Sequence, residues 1–108
     1  MSRLAICAAI AALGIAGGAY AASQKLGEPL GQRSPQKVYA STCGYCHGTN
    51  VGPIILGRKL PADYIKQMVR EGRNAMPAFR PTEVSPEELD ALSKWIETAP
   101  ANPQEKGK

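Results

Sequence analysis

Apolar residues recur at helical spacing in three stretches between residues 34 and 99, and nowhere does a convincing pair of alternating strands appear. The first stretch opens at Ser34-Pro35, a capping residue followed by proline at the first helical position, and turns Val38 and Tyr39 toward a core. The second begins near Pro61 and lines up Leu60, Tyr64, Ile65, Met68 and Val69 on one stripe, with Gly72 as its stop. This placement assigns Met68 to core packing. The third has the clearest start, because Ser85-Pro86-Glu87-Glu88 fits a capping box, and Leu89, Leu92, Trp95, Ile96 and Ala99 follow at helical spacing. With no internal repeat, the pattern predicts an all-α domain over residues 34–99, flanked by an irregular arm at 22–33 and a flexible tail at 100–108.

The N-terminus is patterned differently. Arg3 supplies a positive start, Leu4 to Gly18 is apolar and small, and Ala19-Tyr20-Ala21 gives a small-x-small cleavage site, so residues 1–21 are expected to be a secretory signal peptide. The alternative, an uncleaved anchor, asks a short Ala- and Gly-rich run to span a bilayer, for which it is marginal. Cleavage near Ala21 would discard Cys7, leave no stable membrane insertion, and deliver the chain to the periplasm. About 87 residues would remain, too thin a polypeptide core to be comfortably stable without a cofactor. Their net charge, +3 from twelve basic and nine acidic residues, does not suggest nucleic acid as a partner.

The chemistry is concentrated in Cys43-Gly44-Tyr45-Cys46-His47. Residues three and four apart share a helix face, so two thiols and an imidazole at this spacing suit covalent haem attachment, with His47 as the proximal axial ligand. A structural zinc site lacks ligands, since Cys7 lies in the leader and His47 is the single histidine. A Cys43–Cys46 disulfide would close a strained small loop. A thiol–disulfide oxidoreductase of thioredoxin type would need strand and helix alternation, which the pattern lacks.

A second axial ligand must come from Met or Lys. Met1 leaves with the leader and Met68 falls in a helix stripe, whereas Met76 sits in Asn74-Ala75-Met76-Pro77, where proline disfavours helix and a loop can carry the thioether across the haem. A backbone carbonyl at Gly52-Pro53 is placed to accept the second imidazole N–H. Ile54, Ile55, Leu56 and Phe79 are expected to wall the haem, with Arg58 near a propionate and Trp95 in the core rather than on a propionate. Arg58, Lys59, Arg70, Arg73 and Arg80 recur around this edge, either as a solvated face or as a docking surface for an acidic partner. Both axial positions are then filled and no base constellation remains, so the chain is expected to move electrons rather than transform substrates.

On these motifs, in this order, the chain resembles a class I cytochrome c, a small fold with three main helices around one covalent haem. More narrowly it is similar to the cytochrome subunits of the p-cresol methylhydroxylase and 4-alkylphenol flavocytochrome family. That resemblance rests on Val51-Gly52-Pro53, Gly57-Arg58, Leu60-Pro61, Tyr64-Ile65-Lys66, Val69-Arg70 and Ala75-Met76-Pro77-Ala78-Phe79, and covers about residues 38–99. It implies thioethers at Cys43 and Cys46, with His47 and Met76 as the axial pair. It further implies a heterotetramer with a flavoprotein subunit that carries FAD and oxidises a para-alkylated phenol. Electrons would pass singly to the cytochrome and on to a periplasmic acceptor, such as a small copper protein or another cytochrome. The alternative is a free diffusible electron shuttle.

Overall fold

Ser34 starts the first helix as expected: its backbone is extended, its hydroxyl accepts from the Lys37 N–H at 3.3 Å, and Pro35 follows with φ already set for a helix. The computed structural model describes residues 31–107, so the signal-peptide reading, Cys7, the cleavage site and arm residues 22–30 lie outside it. Helix α1 (Pro35–Val38) runs without a break through a π-helical segment (Tyr39–Cys43) into α2 (Gly44–His47), where the expectation was one regular helix. The wider π turn shifts the angular phase of α2 relative to α1. Val38 and Tyr39 therefore point into the core, while Cys43, Cys46 and His47 face a cavity.

Helix α3 (Ala62–Glu71) ends at Gly72, and α4 (Pro86–Thr98) carries the complete capping box. In that box the Glu88 N–H donates to Ser85 Oγ at 3.1 Å, and the Ser85 N–H donates to Glu88 Oε2 at 3.2 Å. Both α1 and α3 pack on α4. Leu92, Ile96, Val38 and Val84 are fully buried where they meet, and each contributes roughly 1.5–3 kcal/mol by leaving water. Trp95 packs edge-on against Tyr39, ring centres 5.4 Å apart, so its assignment to the core agrees with the packing. Lys66 ties α3 to α4 through Asp90, Nζ to Oδ1 at 3.1 Å. No strand is present among the described residues, which hold only two isolated bridges, Thr49 with Lys106 and Arg73 with Met76.

The segment expected to be a flexible tail, residues 100–108, instead returns across the molecule up to the last described residue. The Lys106 N–H donates to the Gly48 carbonyl at 3.2 Å, the Lys106 carbonyl accepts from the Asn50 N–H, and Tyr39 Oη donates to Glu105 Oε1 at 2.8 Å. The Ala99 carbonyl accepts from the Gly57 N–H at 3.0 Å. These contacts lay the chain's end along the α2 terminus and the loop beyond it.

At the other end Arg33 is bound by Glu88. Its backbone N–H and Nε reach Glu88 Oε1 at 3.0 and 2.9 Å, and Nη2 reaches Oε2 at 2.8 Å. The carboxyl is held at about 2, well below its ordinary 4.5, chiefly by those bonds from Arg33.

Candidate functional site

Between α2, α3 and the segment leading to α4 lies a cavity of about 680 Å³, within the range of small-molecule and cofactor sites. Cys43, Cys46, His47 and Met76, drawn from opposite sides of a 34-residue span, all line it. Ile55, Leu60, Ile65, Phe79, Val84 and Leu92 make most of the remaining wall apolar. Arg58 and Arg73 are exposed at its edge.

His47 is fixed by its surroundings. Nδ1 donates to the Pro53 carbonyl at 2.7 Å, which sets the tautomer and leaves Nε2 as the nitrogen able to bind a metal. The loop approaches closely because residue 52 is glycine: a Cβ there would lie 3.2 Å from His47 Nδ1, and the Gly52 N–H also donates to the Cys46 carbonyl at 2.8 Å. The carbonyl predicted from Gly52-Pro53 is thus the one that holds the ring.

Cys43 and Cys46 are free thiols, each half-buried. Burial, with a smaller contribution from neighbouring Cys46, pushes the Cys43 thiol up to about 11. A thiol–disulfide oxidoreductase needs the opposite, a nucleophile whose pKa is depressed toward neutrality, so the environment of Cys43 disfavours that reading. Among the described residues no group of three or more His, Cys, Asp or Glu side chains could hold a metal ion. The donor set lining the cavity is an imidazole, a thioether and two thiols in an otherwise largely apolar wall. This set fits a covalently attached haem.

Met76 reaches the cavity through a tight return of the chain. After α3 stops, the Arg73 N–H donates to the Met76 carbonyl at 3.0 Å and the Met76 N–H donates to the Arg73 carbonyl at 2.9 Å. Gly72, with φ of 70°, permits it, since a Cβ there would sit 2.7 Å from the Met76 carbonyl oxygen. The Phe79 N–H then bonds the Val69 carbonyl at 2.8 Å and seats the segment against α3.

Several sequence expectations are corrected by these positions. Ile55 and Phe79 line the cavity, but Leu56 is buried in the core and Ile54 lies against Gly107, so neither of these two forms its wall. Met68 lines the cavity rather than belonging to the core cluster, because its stripe on α3 extends past the core to the cavity side. Arg70 is not part of a solvated basic face, since its guanidinium is bonded to two carbonyls. Arg80 meets Glu83 at 3.7 Å. Lys59 lies outside the cavity lining. Sequence reasoning missed Tyr64 and Val51 at the cavity, both exposed apolar residues whose helical or turn position alone did not mark them.

Comparison with known proteins agrees with this geometry. The cytochrome c subunit of 4-cresol dehydrogenase (hydroxylating) from Pseudomonas putida is 41% identical over 70 residues, which cover 63% of this chain and 62% of that subunit. Cytochrome c-550 of Bacillus subtilis (strain 168) is 32% identical over 69 residues, 58% of this chain and 55% of that protein. The chain therefore spans somewhat under two thirds of the length of these relatives. Among solved structures, that of p-cresol methylhydroxylase with substrate bound superposes with a TM-score of 0.57 at 42% identity, covering 63% of this chain and 95% of the matched one. A second crystal structure of p-cresol methylhydroxylase gives 0.56 at 41% identity, covering 62% and 94%. The family model described as cytochrome c oxidase, cbb3-type, subunit III matches residues 31–96, well over half of the chain. The helical fold, the cavity and these matches together establish that the chain belongs to that family of c-type cytochrome domains, whose members carry haem c.

Proposed function

We propose that this chain is a monohaem cytochrome c of the periplasm, the electron-transfer subunit of a flavocytochrome that oxidises 4-alkylphenols. Haem c, when bound, supplies the one-electron chemistry, since its iron changes charge by one without gaining or losing an atom. The residues of this chain hold and tune it. Cys43 and Cys46 would carry the thioether links, and His47 Nε2 and Met76 Sδ would bind the iron. The Pro53 carbonyl orients the imidazole and strengthens its donation. The apolar wall would shield the bound group from water, and a thioether ligand would favour the ferrous state, as suits an acceptor of electrons. Arg58, at the cavity edge, would pair with a propionate.

The observation that carries the reading is the convergence of Cys43, Cys46, His47 and Met76 on one apolar cavity, in a chain 41% identical to the cytochrome subunit of 4-cresol dehydrogenase. In the proposed complex a flavoprotein subunit carries FAD and performs the oxidation, pairs of subunits form a heterotetramer, and a periplasmic copper protein or cytochrome takes the electrons onward. Residues 1–21 would direct export and be cleaved near Ala21.

Pull-down of the native protein, followed by in-gel fluorescence after acid treatment, tests the assignment. A companion band with covalent flavin fluorescence is expected. The second reading is a free diffusible carrier, and recovery of the cytochrome alone at low and moderate salt would establish it instead. Ligation is tested separately: Met76→Ala should open the iron to added imidazole or carbon monoxide and lower the reduction potential. An unchanged spectrum would transfer the role to Met68 or a lysine.

A further inference from the structure

Arg70 stands on the last turn of α3, six residues before Met76, and its guanidinium crosses to the far side of the Met76 segment. Nη1 donates to the Phe79 carbonyl at 3.0 Å and Nη2 donates to the Val84 carbonyl at 3.0 Å. Both bonds are partly buried, and neither acceptor belongs to a helix. Between them the Arg80 carbonyl accepts from the Glu83 and Val84 N–H groups at 2.9 and 3.1 Å, so residues 79–84 form one closed turn whose two ends are both gripped by the same side chain.

This turn bears directly on Met76. Its first residue, Phe79, lies three positions beyond Met76 and lines the cavity, and its last, Val84, is 1% exposed and lines the cavity too. On the near side Met76 is paired to Arg73, which adjoins the end of α3. The loop carrying the thioether is therefore bounded by α3 before it and by a turn bonded to α3 after it. A planar guanidinium with several donors in fixed directions can satisfy two carbonyls at once; an ammonium on a flexible stem holds them without that geometry.

We propose that Arg70 is a positioning residue for the axial thioether: by binding the Phe79 and Val84 carbonyls it holds the Met76 loop closed over the cavity. The inference rests on the proposed ligation of iron by Met76. Loss of the clamp raises the population of loop-open molecules, and an added ligand that competes with Met76 binds more tightly in proportion to that population.

The experiment titrates the haem-loaded ferric protein with imidazole and records the far-red sulfur-to-iron absorption band and the reduction potential. Met76→Ala, Arg70→Gln and Arg70→Lys are compared with the parent chain. Arg70→Gln is expected to retain covalent haem, to weaken the far-red band, to lower the potential, and to bind imidazole roughly ten-fold more tightly. Arg70→Lys should recover part of each change. Parental band, potential and imidazole affinity in Arg70→Gln, even with a lowered unfolding midpoint, would overturn the proposal and leave Arg70 a purely structural contact. Should Arg70→Gln fail to fold, Arg70→Lys decides by the same three readouts. A Met76→Ala variant with unchanged band and affinity would instead refute the ligation itself, an outcome distinguishable because it does not involve Arg70.

Discussion

Removing one oxygen atom, in Tyr39→Phe, tests whether the C-terminal segment is fastened to the helix that bears the cysteines. Tyr39 is 5% exposed and opens the π segment, and its hydroxyl donates to Glu105 Oε1 at 2.8 Å. Glu105 Oε2 is buried without a partner, so the substitution would leave the whole carboxylate unbonded. A hydrogen bond to a charged acceptor contributes roughly 1.5–3 kcal/mol, and the ring's packing is retained, so a loss of about 2 kcal/mol is expected. For a domain of this size that corresponds to a drop in Tm on the order of 10 °C. The pH dependence provides a second check. Burial first, and the bond to Glu105 next, raise the Tyr39 phenol above its ordinary 10.0. Its contribution is therefore complete below pH 10 and fades above it, as the unfolded phenol ionises while the folded one keeps its proton. Between about pH 9 and pH 11 the stability gap between the parent and Tyr39→Phe should narrow by about 1.4 kcal/mol. Guanidinium unfolding of the haem-loaded proteins, followed by far-ultraviolet circular dichroism, measures both quantities. A gap under about 0.5 kcal/mol at pH 7, or one that does not change with pH, would refute the fastening.

Three further outcomes are expected from the same contacts. Arg33→Ala should cost roughly 1–3 kcal/mol at neutral pH by leaving the Glu88 carboxylate without its main donors. Because Glu88 is held at about 2, its contribution is present above 4.5 and lost as pH falls toward 2, so acid unfolding of the variant should begin at higher pH than that of the parent. Gly72→Ala places a Cβ against the Met76 carbonyl at positive φ and should lower the unfolding free energy by roughly 1–3 kcal/mol, measured by denaturant titration. Cys43→Ala combined with Cys46→Ala should yield protein from which acid solvent extracts any haem, and haem that resists extraction would place its attachment elsewhere.

Features governed by near neighbours in the sequence could be read from it. The Ser34 and Ser85 caps, the Gly72 stop and the grouping of Cys43, Cys46 and His47 each depend on residues within one or two helical turns. The Pro53 contact was also accessible, because a carbonyl six residues beyond the histidine is a local matter. The features that escaped depend on distant backbone. Residues 100–107 have the Pro, Asn, Gly and Lys composition of a solvated end, yet Lys106 is held by main-chain groups of Gly48 and Asn50, which carry no signature of their own. Arg70 belongs to the same class, since both its partners are carbonyls that any residue would present. The π segment was hidden because nothing in Tyr39 to Cys43 distinguishes it by sequence from an ordinary helical turn.

The two halves of the cavity are thus stabilised by devices of different chemical kind, which separates their vulnerabilities. On the histidine side the α2 terminus is held by the returning chain end, and one of its contacts is a phenol–carboxylate pair that can ionise. On the methionine side the loop is held by backbone pairs and by Arg70, whose acceptors are carbonyl oxygens without a titrating proton, and the one ionisable contact of the adjoining turn, the Arg80 N–H donating to Glu83 Oε2 at 2.8 Å, is exposed. Alkali should therefore loosen the chain end through Tyr39 before it reaches the Arg70 contacts. Acid acts at Glu88, where Arg33 joins the start of α1 to α4 and also donates to the Glu83 carbonyl at 2.8 Å. For a centre whose proposed task is to change charge by one and otherwise stay still, supports made of fixed dipoles have a clear advantage. They need not reorganise when an electron arrives, and they keep the Met76 loop in place across the pH range in which the ionisable contacts begin to fail.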